Sequence, residues 1–424
     1  MKDIIKRILL DFLDRSFSDL IPRKRAIPLD SGKIVTLIGP RRAGKTYTLF
    51  EQIQSLEKSG VDRRRIFYLN FEDERLDFEG RYDIIFEAYL ELYPDIGLSE
   101  VFLFFDEIQQ LPDWERFIRR VYDSTTRRIF LTGSNSNLLS SEIATALRGR
   151  SLSFEILPLS FKESLLFKGI DPDKRHSTKN TAKITILFEE YLQWGGNPEL
   201  IGVEPEIKTL ILQEYFNVMI FRDLVERYEI GEISLIKFLI RRLVDCATKE
   251  YSVNRIHNDL KSRGFALGKD SLYSLVDQIM SVYLFCNIER YDPSIVKREM
   301  GKKKIYLYDH GFLYALRRNF SKEVGRALEN LVFIELRRRT KEIYFLQNGW
   351  ECDFLFFEEN HRPKSIQVTA RLDRENVKRE IKGLIQSNIR IPGTEVLLLY
   401  HEMEVGLSVP ENIKLQSITE WLLE

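Results

Sequence analysis

The stretch Gly39-Pro40-Arg41-Arg42-Ala43-Gly44-Lys45-Thr46 matches the phosphate-binding loop pattern G-x-x-x-x-G-K-[ST] at every fixed position. An apolar run, Lys33–Ile38, precedes it and predicts a buried strand, and residues 46–53 predict the helix that follows. The glycines let successive backbone N–H groups face an anion, and the helix N-terminus adds positive partial charge. The sequence therefore predicts a site for a nucleoside triphosphate.

Each part of this loop has a role that its chemistry predicts. We expect Lys45 to reach the β- and γ-phosphates of ATP and the Thr46 hydroxyl to bind Mg²⁺. A chance glycine-rich turn would match the same eight letters, but the flanking strand and helix favour the nucleotide site. The residues predicted to contact the nucleotide are Gly39, Pro40, Arg41, Arg42, Ala43, Gly44, Lys45, Thr46 and Tyr47.

A second apolar run, 101–105, ends in the two carboxylates Asp106 and Glu107. A strand that is buried on both faces has this composition, and ligands bind beyond the carboxyl ends of such strands. We expect Asp106 to hold Mg²⁺ and Glu107 to polarise the attacking water. An acidic pair at a helix N-terminus is the alternative, and the position after the loop favours a Walker B element.

The next short apolar strand is predicted over 128–133 and is followed by Ser134 and Asn135. At that edge of a parallel sheet, either side chain would hydrogen bond the attacking water or the γ-phosphate. An ordinary turn accounts for the same residues. The sequence predicts a polar sensor here and leaves the turn open.

Composition excludes several classes of protein. With 64 basic and 64 acidic residues, no global field draws the chain to nucleic acid, so contacts with DNA would need local patches. Three scattered cysteines and five histidines show no metal spacing, and the cysteines indicate a reducing compartment. The charged, amphipathic start is unlike a signal peptide, and no apolar stretch approaches a membrane span. We expect a prokaryotic, archaeal or bacterial, cytoplasmic protein without a membrane partner.

The chain divides by its periodicity into four predicted segments. Alternating strands and helices over 1–160 predict an α/β fold with a parallel P-loop NTPase sheet, and helical periodicity over 161–230 predicts a lid. Residues 231–320 follow the order of a winged helix-turn-helix, with helices, a turn and a hairpin around Lys302-Lys303-Lys304. The helix Lys269–Tyr283 is polar but hardly basic, so sequence-specific readout is not favoured; a protein-interaction or structural role is the alternative.

Residues 321–424 carry a helical Glu329 and a strand Asp353, which would gather a metal ion for cleaving DNA. The next strand would complete such a site with a polar residue and a lysine, but Gln367 and Thr369 stand there. We therefore expect a second Mg²⁺ site on Glu329 and Asp353 and little or no cleavage. Arg371 and Lys378 are the candidate substitutes for the lysine.

Taken together, these motifs resemble the archaeal and bacterial AAA+ ATPases that carry a C-terminal nuclease-like domain. The resemblance covers nearly the whole chain, and its most particular parts are Leu147-Arg148-Gly149-Arg150 and Pro158-Leu159-Ser160-Phe161. The other motifs on which the resemblance rests are the phosphate loop, Asn70–Leu76, Phe105–Gln109, Leu131–Asn135, Gly195-Gly196-Asn197-Pro198-Glu199 and Leu328-Glu329-Asn330. The terminal domain is similar to PD-(D/E)xK nucleases, in which Glu329 and Asp353 match.

What the resemblance implies is a homo-oligomer, a ring or cluster such as a hexamer, that hydrolyses ATP between subunits. An arginine beyond the polar sensor reaches the neighbour's γ-phosphate, and Arg148 or Arg150 would be that residue, with Arg150 favoured. Two functions follow. The first is an ATP-driven enzyme that remodels or processes forked, branched or single-stranded DNA; the second is a STAND-like nucleotide switch that acts on a protein partner. DNA-stimulated turnover would separate them.

Overall fold

The computed structural model describes residues 1–17, 20–23, 26–133, 147–174, 177–317, 323–358 and 361–424. It divides into two compact units, Met1–Ile156 and Leu157–Glu424. The predicted boundaries near residues 230 and 320 lie inside the second unit and stay predictions. Among the described residues, no helix is long and apolar enough to cross a membrane.

The first unit is built on a parallel sheet, as its alternating pattern predicts. Its described strands follow the order β2-β3-β4-β1-β5, and every pairing is parallel. The strands are β1 (Ile34–Ile38), β2 (Ile66–Asn70), β3 (Phe102–Asp106), β4 (Ile129–Gly133) and β5 (Ser151–Glu155). The helices are Lys2–Leu13, Lys45–Lys58, Ile84–Leu92 and Trp114–Ser124.

Continuous apolar strands make the core of this unit. All residues of β1, β3 and β4 are buried, because helices cover both faces of the sheet. Phe104 and Phe130 stack on neighbouring strands, with ring centroids 4.6 Å apart. The phosphate loop and the acidic residues at the end of β3 therefore follow buried strands of one sheet.

The second unit begins with helices and continues into a mixed sheet. The helices are Phe161–Phe167, Thr178–Trp194, Pro205–Val218, the π-helix Met219–Glu226, Ile233–Asp245, Val253–Ser262, Lys269–Ser281, Ile295–Glu299, Gly311–Leu316, Val324–Arg339, Val377–Arg390 and Ile418–Leu422. The strands are β6 (Glu250–Tyr251), β7 (Phe285–Arg290), β8 (Lys303–Leu307), β9 (Ile343–Gln347), β10 (Glu351–Phe357), β11 (Pro363–Leu372), β12 (Glu395–Met403) and β13 (Ile413–Ser417).

One sheet joins the predicted winged-helix segment to the predicted nuclease-like segment. The described strands lie in the order β13-β12-β11-β10-β9-β7-β8-β6, and β7 pairs with β9 in parallel. The β7–β8 hairpin is thus an extension of the carboxy-terminal sheet. Its connection contains the short helix Ile295–Glu299, whereas the sequence predicts only a charged tip.

The Gly195-Gly196 pair packs against a buried carboxyl group. Gly195 has φ +79°, and a Cβ on it would lie 1.7 Å from Asp309 Oδ1. Asp309 accepts hydrogen bonds from the backbone N–H groups of Gly196 (3.2 Å) and Gly311 (2.9 Å). These glycines therefore serve the packing of the helical region against the chain after β8.

Candidate functional site

The backbone of the phosphate loop requires glycine at two positions. Gly39 has φ +145°, and a Cβ on it would lie 2.1 Å from the carbonyl oxygen of Ile156. Gly44 has φ +93° and caps the helix Lys45–Lys58, so its left-handed conformation precedes the first helical N–H groups. The loop therefore presents a helix N-terminus at the carboxyl end of β1, where an anion is favoured.

Lys45 lies inside this loop. Its side chain is buried, and Nζ donates hydrogen bonds to the carbonyl oxygens of Gly39 (3.2 Å) and Pro40 (3.0 Å). The same Nζ lies 3.9 Å from Glu107 Oε1. The structure thus brings the loop lysine and the acidic strand together, as the sequence predicts.

Neighbouring side chains support the loop from outside. Arg23 Nη1 donates to the carbonyl oxygen of Ala43 over 2.7 Å, and the Arg23 N–H donates to Glu51. Arg41 forms an ion pair of 3.5 Å with Glu72. Tyr47, by contrast, is 66% exposed, so its ring is accessible at the start of the helix.

Asp106 ends β3 and is fully buried, with three hydroxyl groups around it. Tyr68 donates to Oδ2 over 2.9 Å, Thr132 donates to Oδ1, and Thr46 also hydrogen bonds the carboxylate. Burial raises the pKa of Asp106, and the Thr132 hydrogen bond opposes that rise. The contact between Asp106 and Thr46 unites the two residues that the sequence assigns to Mg²⁺.

Glu107 follows with a left-handed backbone, φ 51°. Its N–H donates to Thr132 Oγ1 over 2.8 Å, and its carboxylate accepts from Gln109 Nε2 over 2.5 Å. These contacts fix the buried carboxylate beside the phosphate loop. A base that polarises water needs this kind of fixed position.

The predicted arginines lie at the other edge of the sheet. Ile34 N–H donates to the carbonyl oxygen of Arg150, so Arg150 sits where β1 begins, whereas the phosphate loop lies where β1 ends. Arg148 is exposed, and Arg150 forms an ion pair of 3.1 Å with Asp123. The predicted sensors Ser134 and Asn135 lie outside the described residues.

In the second unit, the predicted metal residues meet in a polar cleft of about 680 Å³. Glu329 comes from the helix Val324–Arg339, and Asp353 comes from β10 at an irregularity in its pairing with β9. Between them lies a lysine that the sequence analysis missed. Lys304 Nζ is 2.6 Å from Glu351, 3.4 Å from Glu329 and 3.7 Å from Asp353.

This arrangement corrects two expectations. The sequence predicts that Lys304 belongs to a charged hairpin tip, but its side chain is 3% exposed because it points from β8 toward the carboxylates. The cation expected from Arg371 or Lys378 is also supplied by Lys304. Burial alone would lower the pKa of Lys304, but Glu329, Asp353 and Glu351 raise it instead.

The rest of the cleft floor is also internally paired. Asp353 Oδ2 accepts from the Val368 N–H over 3.0 Å, and Gln367 Nε2 donates to Glu380 over 3.0 Å. Thr369 donates to the carbonyl oxygen of Arg371. Within the described part of the chain, no group of three or more His, Cys, Asp or Glu side chains is arranged to hold a metal ion.

The basic run Arg337–Arg339 is largely engaged within the second unit. Arg338 contacts Glu335, Glu163 and the carbonyl oxygen of Pro158. Arg339 pairs with Glu335 and lies over the Trp421 ring, 4.7 Å from its centroid. Arg338 and Arg339 therefore contribute to packing within this unit.

Comparison with known protein families supports an AAA domain in the first unit. Residues 31–165 match the family described as "AAA domain", and residues 185–323 match "Domain of unknown function (DUF8612)". The Methanocaldococcus jannaschii "Uncharacterized protein MJ1544" is 39% identical over 392 residues, which span 90% of this chain and 85% of that protein. The chain belongs to the MJ1544 family.

Two other proteins resemble this MJ1544 family member at lower sequence identity. An uncharacterized protein of Haemophilus influenzae is 29% identical over 311 residues, which span 73% of the chain and 76% of that protein. The structure of the Aeropyrum pernix ORC1 protein in complex with DNA has 14% identity and a TM-score of 0.30, covering 75% of the chain and 92% of that protein.

Three side chains that contact the predicted site residues escaped the sequence analysis. Tyr68 and Thr132 hold Asp106, and Lys304 joins the cleft carboxylates. Tyr68 and Thr132 lie within predicted strands beside β3, so pairing those strands in a parallel sheet would have indicated them. No local signal indicates Lys304, because its partners come from later elements.

Proposed function

We propose that this chain is a Mg²⁺-dependent ATPase that hydrolyses ATP between subunits and uses the energy to remodel or process forked, branched or single-stranded DNA. The observation that carries the ATPase part is the meeting of Lys45, Thr46, Asp106 and Glu107 at one edge of the parallel sheet. A phosphoryl-transfer site needs a cation, a metal ligand and a water-orienting carboxylate, and these residues supply all three.

The residues around the loop have separate tasks in this proposal. Lys45, which now donates to loop carbonyls, would donate to the β- and γ-phosphates. Glu107 would accept a hydrogen bond from the attacking water, while Gln109 and the Thr132 hydroxyl fix its position. Tyr68 and Thr132 would hold the Asp106 carboxylate in one orientation.

The donors present fit a magnesium ion. Mg²⁺ prefers oxygen ligands, and the Thr46 hydroxyl and Asp106 carboxylate lie in contact beside the loop. The ion, when bound with ATP, would neutralise negative charge on the phosphate oxygens. Burial disfavours the charged form of the Asp106 carboxylate, and a nearby cation would stabilise that form.

Self-association is part of the proposal because of the arginines. Arg148 and Arg150 lie at the sheet edge away from their own phosphate loop. A neighbouring subunit that packs this edge against its own loop would receive Arg150 as a trans-acting cation. The Asp123 ion pair would then have to be exchanged for the phosphate.

DNA contact would come from the second unit. The helix Lys269–Ser281 exposes Lys269, Ser271 and Tyr273, which would face the DNA if this segment is a winged helix. The cleft of Glu329 and Asp353 has exposed Lys249 and Lys382 on its rim. These features support binding to phosphate groups without base readout, and the carboxy-terminal segment would bind DNA without cutting it.

The regulatory switch is the second candidate function. The observation that favours it is the bidentate contact of Arg150 with Asp123, which withholds the trans-acting cation and would keep hydrolysis slow. In that case ATP occupancy, rather than turnover, would control a protein partner.

The two functions are separated by ATP turnover measured with a panel of DNA substrates. Forked, four-way, single-stranded and plain duplex DNA are compared over a range of salt concentrations, with Lys45→Ala as the blank. Stimulation that weakens as salt rises would support the DNA enzyme, because phosphate contacts release counterions. Slow turnover that no DNA changes would contradict it and favour the switch.

A further inference from the structure

The buried lysine of the carboxy-terminal cleft has an unusual set of neighbours. Lys304 on β8 faces Glu329 on the helix Val324–Arg339 and both Glu351 and Asp353 on β10. Its side chain is 3% exposed, so water contributes little to its solvation. An ammonium group has three N–H donors, and three carboxylates surround this one.

The carboxylate oxygens are already occupied by protein groups. Glu329 Oε1 accepts from Tyr306 over 2.8 Å as well as from Lys304. Asp353 Oδ1 faces Lys304, and Oδ2 accepts from the Val368 N–H. Of the four oxygens on this pair, three have protein partners, so a metal ion would compete with those partners for the same oxygens.

We propose that the Lys304 ammonium is the resident cation of this cleft and takes the place of a divalent metal ion between Glu329 and Asp353. The site is then complete without metal, and it does not bind Mg²⁺ or Mn²⁺ while Lys304 is present. This inference is independent of the ATPase and DNA functions proposed above.

Electrostatics supports one cation here rather than two. A divalent ion bound by Glu329 and Asp353 would lie close to Nζ of Lys304, and both Lys304 and Asp353 are largely shielded from water. Lys304 has little room to swing away and relieve the repulsion, because its side chain is 3% exposed. Removing the charge but keeping the stem should therefore free the three carboxylates, which are not arranged around a metal ion here, to move together and bind one.

The test uses full-length, nucleotide-free protein and Mn²⁺, whose binding is counted by electron paramagnetic resonance. We compare wild type, Lys304→Gln and the double variant Lys304→Gln/Asp353→Asn. Lys303→Gln is the matched control, since Lys303 is the next residue on β8 and is 38% exposed. Asp353→Asn in the wild-type background shows whether any Mn²⁺ bound by wild type lies in this cleft.

We expect Lys304→Gln to gain one Mn²⁺ per chain, and the double variant to lose it. Mn²⁺ should raise the unfolding temperature of Lys304→Gln but leave Lys303→Gln like wild type. Wild-type binding of Mn²⁺ that Asp353→Asn abolishes would overturn the proposal, and so would a folded Lys304→Gln protein that binds none. If Lys304→Gln does not fold, the wild-type titration still decides, because the proposal requires no Asp353-dependent Mn²⁺ there.

Discussion

The hydroxyl of Tyr68 donates a hydrogen bond of 2.9 Å to Asp106 Oδ2, joining the neighbouring strands β2 and β3 at the edge where the phosphate loop lies. Burial and the Asp106 charge raise the pKa of Tyr68, so the phenol stays a donor. Any effect of Tyr68 on catalysis would pass through Asp106, the carboxylate that it hydrogen bonds. It is a positioning residue.

Tyr68→Phe should reduce turnover more than nucleotide affinity. Losing a hydrogen bond to a carboxylate costs about 1.5–3 kcal/mol when the acceptor stays buried, which corresponds to roughly tenfold or more in kcat. Steady-state kinetics and equilibrium nucleotide binding measure the two effects. Tyr89→Phe is the matched control, since Tyr89 donates to the carbonyl oxygen of Arg64 away from the loop. Equal losses in both variants would show that the effect is general destabilisation.

Substitutions of Lys45 and Glu107 should impair different steps, nucleotide binding for Lys45 and hydrolysis for Glu107. Lys45→Ala removes the charge that neutralises the phosphates, so it should lose nucleotide affinity. Glu107→Gln keeps the shape of the side chain but removes the base, so it should bind ATP and turn over at least a hundredfold more slowly, by the usual range for a general base. Nucleotide binding and single-turnover hydrolysis give the two readings. Wild-type turnover in Glu107→Gln would refute the role of Glu107.

Much of the first unit could be predicted because its signals are local. The eight residues of the phosphate loop and the acidic end of β3 carry their chemistry in consecutive positions. Lys304 could not be predicted, because the sequence around it shows only a run of three lysines. Its partners Glu329 and Asp353 come from a later helix and strand, and only the folded sheet aligns them. The helix Ile295–Glu299 was missed because five residues carry too little periodicity.

Arg150 should act between subunits. Arg150→Ala should lower turnover by roughly a thousandfold if it stabilises the transition state in trans. Mixing Arg150→Ala chains with Lys45→Ala chains should restore part of the rate, because each supplies what the other lacks. Arg127→Ala is the control, as Arg127 is exposed nearby over the Tyr122 ring. Turnover that does not depend on concentration, in a proven monomer, would exclude this mechanism; Arg148→Ala tests the alternative arginine.

The buried pair Asp309 and His310 should give opposing pH effects on stability. Burial raises the pKa of Asp309 from 3.8 to about 7, so its contribution to stability is complete below 3.8 and is lost as pH rises through about 7. Burial lowers the pKa of His310 from 6.5 to about 4, so its contribution is present above 6.5 and is lost as pH falls through about 4. Between about pH 4 and 6.5, the loss of stability caused by Asp309 as pH rises offsets the gain caused by His310.

Asp309→Asn removes the Asp309 titration, so the pH dependence of stability that His310 causes should become visible. Relative to wild type, the variant's free energy of unfolding should rise between about pH 4 and 7, by a few kcal/mol in total. Urea unfolding at a series of pH values measures this difference. Asp173→Asn, in the same unit with a largely exposed side chain, is the control that should leave the profile unchanged. Parallel profiles for Asp309→Asn and wild type would contradict the assignment.

The last prediction concerns DNA at the carboxy-terminal cleft, where we expect binding without cleavage. Lys249 and Lys382 are exposed residues that line the cleft, while the buried Lys304 pairs with the cleft carboxylates. Each rim lysine that contacts a phosphate should contribute about one unit to the salt slope of binding, so Lys249→Gln and Lys382→Gln should each flatten it. Lys341→Gln, exposed in the same unit, is the control.

Labelled forked and four-way DNA is incubated with the full chain, ATP, and Mg²⁺ or Mn²⁺, and both binding and cutting are followed. Robust cleavage that Asp353→Ala abolishes would show that the cleft is a working nuclease, whereas no binding at low salt would leave it a packing role, since phosphate contacts are strongest there.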